Sequence, residues 1–121
     1  MKKIFLLLFM ISCMFGNSYA AGTSSTENTK SSYDQAVKYV KAAKKLEAKG
    51  KVDKAKKRYE KAQKLLLKSN KEKPLQADTL NYLGFTTRKL GDYENGEKYY
   101  LLGLEIDPKH KGINEYLGEL Y

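Results

Sequence analysis

Residues 77–110 read ADTLNYLGFTTRKLGDYENGEKYYLLGLEIDPKH, and the spacing of the glycines in this stretch decides the fold. Leu83-Gly84 recurs as Leu117-Gly118, 34 residues later. In the other direction, Gly91, Gly96, Tyr100 and Gly103 answer Gly50, Ala55, Tyr59 and Ala62, each 41 residues earlier. Self-similarity at a fixed period of about 20–50 residues marks a stack of supersecondary units, each too small to bury its own apolar face alone.

Within the units the apolar period is helical. A first helix is predicted from about Tyr33, with Ser32 as cap and Gln35 at the capping-box spacing. Its apolar stripe is Ala36, Val37, Tyr39, Val40, Ala43, Leu46 and Ala48, and Gly50 ends it. A second helix is predicted from Val52 to Ser69, with Val52, Ala55, Tyr59, Ala62, Leu65 and Leu66 inward, broken by Lys71-Glu72-Lys73-Pro74. A third spans Leu75 to Leu90 and stops at Gly91. Asp92 caps a fourth, which runs to Ile106. Asp107-Pro108 opens a fifth, with proline at the first helical position, where its missing N–H costs nothing. The chain is therefore predicted to be all-α.

Residues 77–110 resemble one complete tetratricopeptide repeat. The resemblance rests on Leu80, Leu83-Gly84, Gly91, Tyr93, Gly96, Tyr100, Gly103, Leu104 and Pro108. Thr87 departs from the aromatic usual there, and Gly96 and Gly103 replace alanines. Residues 36–69 make a looser copy through Ala42-Ala43, Leu46, Gly50, Ala55, Tyr59 and Ala62, whose proline arrives seven residues late as Pro74 and so implies a longer second helix. Leu117-Gly118 and Tyr121 open a third copy. The resemblance implies a right-handed superhelix of antiparallel helix hairpins, about two and a half repeats (36–76, 77–110 and a partial 111–121). Gly84, Gly96 and Gly103 would sit where two backbones approach, and Leu80, Leu83, Tyr93, Tyr100 and Leu104 would fill the seam.

The same resemblance implies a non-catalytic adaptor that takes a protein or peptide on a concave surface lined by the first helix of each hairpin. Carried across, that surface presents Val40, Lys44 and Glu47, then Asn81, Phe85, Arg88 and Lys89, then Glu115 and Glu119. Asn81 with Lys44, Arg88 and Lys89 resembles part of a polar clamp for a peptide carboxylate. The competing reading is that these groups solvate the groove.

The flanks carry different information. Met1-Lys2-Lys3, the largely apolar run from Ile4 to Gly16 and the small residues of Asn17-Ser18-Tyr19-Ala20 have the layout of a secretory signal peptide over 1–20. The run is shorter than the roughly 20 apolar residues a spanning helix needs. Met10-Ile11-Ser12-Cys13 reads alternatively as a lipobox, with Cys13 as the lipidated terminus. Residues 21–32 are predicted to be a disordered tether, lacking any large apolar anchor, and residues 33–121 to be the repeat domain. An exported, periplasmic location follows, or a lipid-anchored one in the envelope.

Charge divides the chain: residues 21–76 carry 16 Lys or Arg against 6 Asp or Glu, and residues 77–121 carry 5 against 8. Export argues against nucleic acid as the partner. Anionic membrane or envelope polymer suits the basic half, which gives a second reading of the chain as a lysine-rich, surface-attached structural protein. One histidine, His110, and one cysteine leave no nucleophile–base set and no ligand cluster, so neither enzyme activity, metal nor cofactor is expected. The closing helix, with Ile113, Tyr116, Leu117, Leu120 and Tyr121, makes an apolar edge that suits self-association.

Overall fold

The computed structural model describes residues 30–120. The signal-peptide and lipobox readings (1–20, Cys13), most of the 21–32 tether and Tyr121 lie outside the described residues. Five helices follow one another: α1 Ser32–Ala48, α2 Val52–Glu72, α3 Ala77–Lys89, α4 Tyr93–Ile106 and α5 Lys111–Leu120. No strand occurs among the described residues. The most extensive packing is of α1 on α2 and of α3 on α4. The two hairpins are then joined through α2 and α3, and α5 closes on α3 and α4.

The two hairpins turn by the same mechanism. After α1, Gly50 adopts φ +74°, its N–H bonds Glu47 O at 2.9 Å and the Lys51 N–H bonds Leu46 O at 2.9 Å. After α3, Gly91 adopts φ +96°, its N–H bonds Arg88 O at 2.9 Å and the Asp92 N–H bonds Thr87 O at 3.1 Å. Both are Schellman closures, which need a left-handed residue that glycine supplies at low cost. Asp92 caps α4, its Oδ1 accepting from the Asn95 N–H at 3.1 Å. The Asn95 side-chain amide, donating to Asp92 Oδ2 at 2.7 Å, and then this backbone N–H hold the Asp92 carboxyl below the usual carboxylate range.

Helix ends elsewhere differ from expectation for local reasons. Ser31, not Ser32, caps α1, its Oγ accepting from the Asp34 N–H at 3.1 Å. Ser32 is instead buried as the first helical residue, so the helix begins at the edge of the expected tether. α2 runs three residues past Ser69 until Pro74, which disfavours helical geometry in the residue before it. α3 starts at Ala77, because Leu75 sits at φ +61° and Gln76 is extended.

The fifth helix starts later than Asp107-Pro108 suggests. Asp107 is extended, its Oδ1 accepts from the Lys109 N–H at 3.2 Å and its carbonyl from the His110 N–H at 3.1 Å, so the pair closes a turn around Pro108. The capping role passes to His110, whose Nδ1 accepts from the Ile113 N–H at 3.2 Å. An accepting Nδ1 leaves the proton on Nε2, which donates to Asp78 Oδ1 at 2.6 Å. His110, with no partner evident in sequence, thus ties the start of α5 to the start of α3.

The core runs as one cluster through all five helices: Ala36, Val40, Ala43, Ala55, Tyr59, Ala62, Leu66, Leu80, Leu83, Phe85, Tyr100, Ile113 and Leu117. α3 is its axis, with every residue from Thr79 to Thr87 except Tyr82 buried. Thr87, the departure from the repeat pattern, accepts a hydrogen bond from Gln63 Nε2 at 3.0 Å and so joins α2 to α3. Tyr59 and Tyr100 occupy corresponding places, each fully buried, the first against Phe85 at 5.8 Å between ring centroids and the second against Tyr116 at 6.0 Å. Val52 and Tyr93, both expected to face inward, are 65% and 61% exposed. They are corresponding first residues of α2 and α4, and side chains tilt toward a helix's N-terminus, here off the end of the packed interface.

The glycines divide into distinct roles. A Cβ at Gly96 would press on Gly84 O and the Arg88 backbone, at 3.1 and 3.3 Å, which is the expected approach of two backbones. Gly84 instead leaves room for the Tyr100 ring, and Gly103 for Ile113 of α5. Gly118, expected to pack like Gly84, has open space around its Cβ position. The outward residues of α5 are Lys111, Asn114, Glu115, Gly118 and Glu119, while Ile113 and Leu117 turn into the core. The described part of this edge is therefore polar rather than the apolar face expected.

Candidate functional site

The first helices of the hairpins, α1 and α3, together with α5, bring seven side chains to one surface. Phe85 and Tyr116 form its floor, ring centroids 4.9 Å apart and inclined by 37°. Lys44 Nζ stands 4.6 Å from the Phe85 centroid and donates to Tyr116 Oη at 3.1 Å. Lys89 Nζ and the Arg88 guanidinium lie 5.6 and 5.7 Å from the same Phe85 centroid. Three cations therefore cover two aromatic faces, each contact worth about 0.5–1 kcal/mol where water still reaches it.

Two ion pairs fasten this surface across helices. Lys89 Nζ meets Glu47 Oε2 at 3.1 Å, joining α3 to α1, and Arg88 Nη2 meets Glu119 Oε2 at 3.2 Å, joining α3 to α5. Both pairs keep solvent contact, so each contributes on the order of 0–1 kcal/mol. Their effect is on specificity: Arg88 and Lys89 are engaged within the chain, and Lys44 has no ion-pair partner among the described residues.

Several buried polar atoms around this surface lack a hydrogen-bond partner: Asn81 Oδ1, Arg88 Nε, Tyr59 Oη and Tyr100 Oη. Burial, first, and the negative charge of Glu47, second, push the Tyr59 hydroxyl above the ordinary phenol range. Burial does the same at Tyr100, partly offset by the Arg88 charge. Asn81 is 7% exposed, and its amide lies against the Gly112 backbone, where a Cβ would come within 2.9 Å of Asn81 Nδ2.

Of the residues expected on the concave surface, Lys44, Glu47, Phe85, Arg88, Lys89 and Glu119 converge. Val40 does not: it is 1% exposed and belongs to the core. Phe85 is 3% exposed, a floor beneath the cations rather than an open contact. Glu115 lies 4.0 Å from Lys111 on the outer side of α5. Tyr116, read from sequence as part of an apolar edge, is the hub of the surface. Its signal was the 34-residue offset from Tyr82, which places both on corresponding first helices. Among the described residues no cluster of three or more His, Cys, Asp or Glu is placed to hold a metal.

Two helical hairpins closed by the same turn, a further helix and a shared inner surface define a helical-repeat protein. Residues 77–110 match the family model described as tetratricopeptide repeat, and that segment is a tetratricopeptide repeat. No curated protein and no solved structure matches the chain. Repeats of this kind act as scaffolds for protein–protein interaction.

Proposed function

We propose that this chain is a non-catalytic adaptor in the cell envelope, which takes a protein segment or peptide along the surface formed by α1, α3 and α5. The observation that supports this most is Lys44, a cation held over Phe85 and Tyr116 with no carboxylate partner among the described residues. A bound peptide offers what the Lys44 ammonium lacks, an acidic side chain or a terminal carboxylate. The test is selection from a random peptide library on the full chain. Selected peptides should weaken at least tenfold with Lys44→Ala and with Arg88→Ala, and bind unchanged to Lys57→Gln on the far side of α2. Peptides indifferent to both inner substitutions sink the proposal.

Placement in the envelope rests on the amino-terminal signal pattern, with lipidation at Cys13 as the anchored alternative. No described helix is long and apolar enough to cross a membrane. Export predicts a shortened mature chain in the periplasmic fraction; a full-length chain in the cytosol refutes it, and fatty-acid labelling lost in Cys13→Ser selects the anchored form. Self-association through the C-terminal helix belongs to the same proposal and rests on the apolar pair Leu120 and Tyr121 that closes the sequence beyond the polar outer residues of α5. Sedimentation as a monomer at high concentration refutes that part.

A further inference from the structure

The outer face of α2, turned away from the core and from the inner surface, carries Lys54, Lys57, Lys61, Lys64, Lys68 and Lys71, all exposed. The steps between them are three, four, three, four and three residues, so they form a single file along one helix face. At about 1.5 Å per residue the file is roughly 25 Å long, with cations about 5 Å apart. Among the described residues only Lys68 of the six meets a carboxylate, Glu72, at 3.9 Å. Arg58 flanks the file, and Lys54, Lys57, Arg58 and Lys61 border a recess of about 400 Å³ over Leu46. The Arg58 and Lys61 head groups lie 5.8 and 5.6 Å from the Tyr39 ring, which fixes one wall.

The second hairpin serves as an internal control for mere solvation. At the 41-residue offset, α4 and its end present Asn95, Lys98, Tyr99, Leu102, Glu105 and Lys109 where α2 presents Lys54, Lys57, Arg58, Lys61, Lys64 and Lys68. A solvated outer helix of this fold therefore needs no row of cations. Uncompensated like charges at such spacing also destabilise the helix that carries them.

We infer that this face binds a linear chain of phosphate groups. Lysine binds phosphate as a point charge that several oxygens can share, and six lysines with one flanking arginine offer a continuous charged track without the planar fork that fixes one carboxylate or phosphate in a single register. A row one helix wide suits a single strand better than a plane. Val52 faces away from the row, and Leu67, at its flank between Lys64 and Lys71, is a single exposed apolar side chain beside six cations, which leaves the face without the apolar stripe that bilayer insertion uses.

Labelled linear polyphosphate, titrated against the full chain by fluorescence anisotropy at several salt concentrations, tests this. Binding should fall steeply with salt, and Lys57→Gln/Lys61→Gln/Lys64→Gln should weaken it at least tenfold. The same triple should lower the log–log salt slope by about 2–3, at roughly 0.7–0.9 for each phosphate left without its lysine. The triple Lys41→Gln/Lys45→Gln/Lys49→Gln removes as much charge from exposed positions of α1 and its C-terminal cap and should cost less than threefold. Equal loss in both triples means a net-charge effect and overturns the inference. So does an absence of binding, or stronger retention on anionic vesicles or on polyglutamate than on polyphosphate.

Discussion

Tyr100→Ala should destabilise the fold by about 3–5 kcal/mol, as expected for a fully buried aromatic side chain cut back to its Cβ. More informative is how it combines with Gly84→Ala. A methyl at Gly84 meets the Tyr100 ring, which is rigid and enclosed by α3, α4 and Tyr116. Overpacking of this kind costs about 1–3 kcal/mol, against which the helix-propensity gain of alanine over glycine returns about 1 kcal/mol. Gly84→Ala should therefore be destabilising in the native chain but stabilising when Tyr100 is already alanine. The coupling equals the overpacking cost, about 1–3 kcal/mol, within the range for residues in contact. Gly118→Ala, at the corresponding position with open space, should stabilise by about 0.5–1 kcal/mol in either background. Chemical denaturation of the four chains of the cycle checks this. Additive effects at 84 and 100 would mean that the ring does not occupy the glycine's space.

Alkaline pH should unfold the protein through the same tyrosines. Burial raises Tyr59 and Tyr100 above the ordinary phenol range, and Tyr33 is pushed up to about 12 by burial and then by the nearby Asp78 charge. A folded-state value above the unfolded one means that the native chain holds its protons longer. That stabilisation is complete below about pH 10 and is lost as pH rises toward the folded-state values. The two fully buried tyrosines each contribute a slope of about 1.4 kcal/mol per pH unit over that window. Against a total stability of about 5–10 kcal/mol, this is enough to unfold a domain of this size within a few units. Melting followed by circular dichroism should show the alkaline limb, with tyrosinate absorbance rising in step with unfolding. Tyr59→Phe/Tyr100→Phe removes two hydroxyls that lack partners, so it should cost little at neutral pH and flatten the limb. An unchanged limb in that variant assigns the effect elsewhere.

What could be read without coordinates shares one property: it depends on a few residues adjacent in the chain. The glycine at the end of α1 is legible because a left-handed residue after an apolar stripe has few other uses, and Gly91 repeats the device. Asp92 is legible as a cap because its partner is three residues away. His110 escaped this logic because one of its partners is local, the Ile113 N–H, and the other, Asp78, is 32 residues distant. The inner surface was legible in its cations and Phe85 but not in Tyr116, whose hydrophobic character fits an edge, a core or a floor equally well.

Local chemistry and periodicity thus determined that the chain is helical, where both hairpins turn, and that residues 77–110 form a repeat unit. Only the packed structure decided which glycine yields to a ring, which to a backbone and which to nothing. Only it showed that Arg88 and Lys89 are already paired while Lys44 is not. The reason is range. A turn or a cap is settled by bonds spanning three to five residues, whereas the space beside Gly84 is filled by Tyr100, 16 residues on, and the charge beside Lys89 comes from Glu47, 42 residues back. Such partners become neighbours only once the hairpins have stacked.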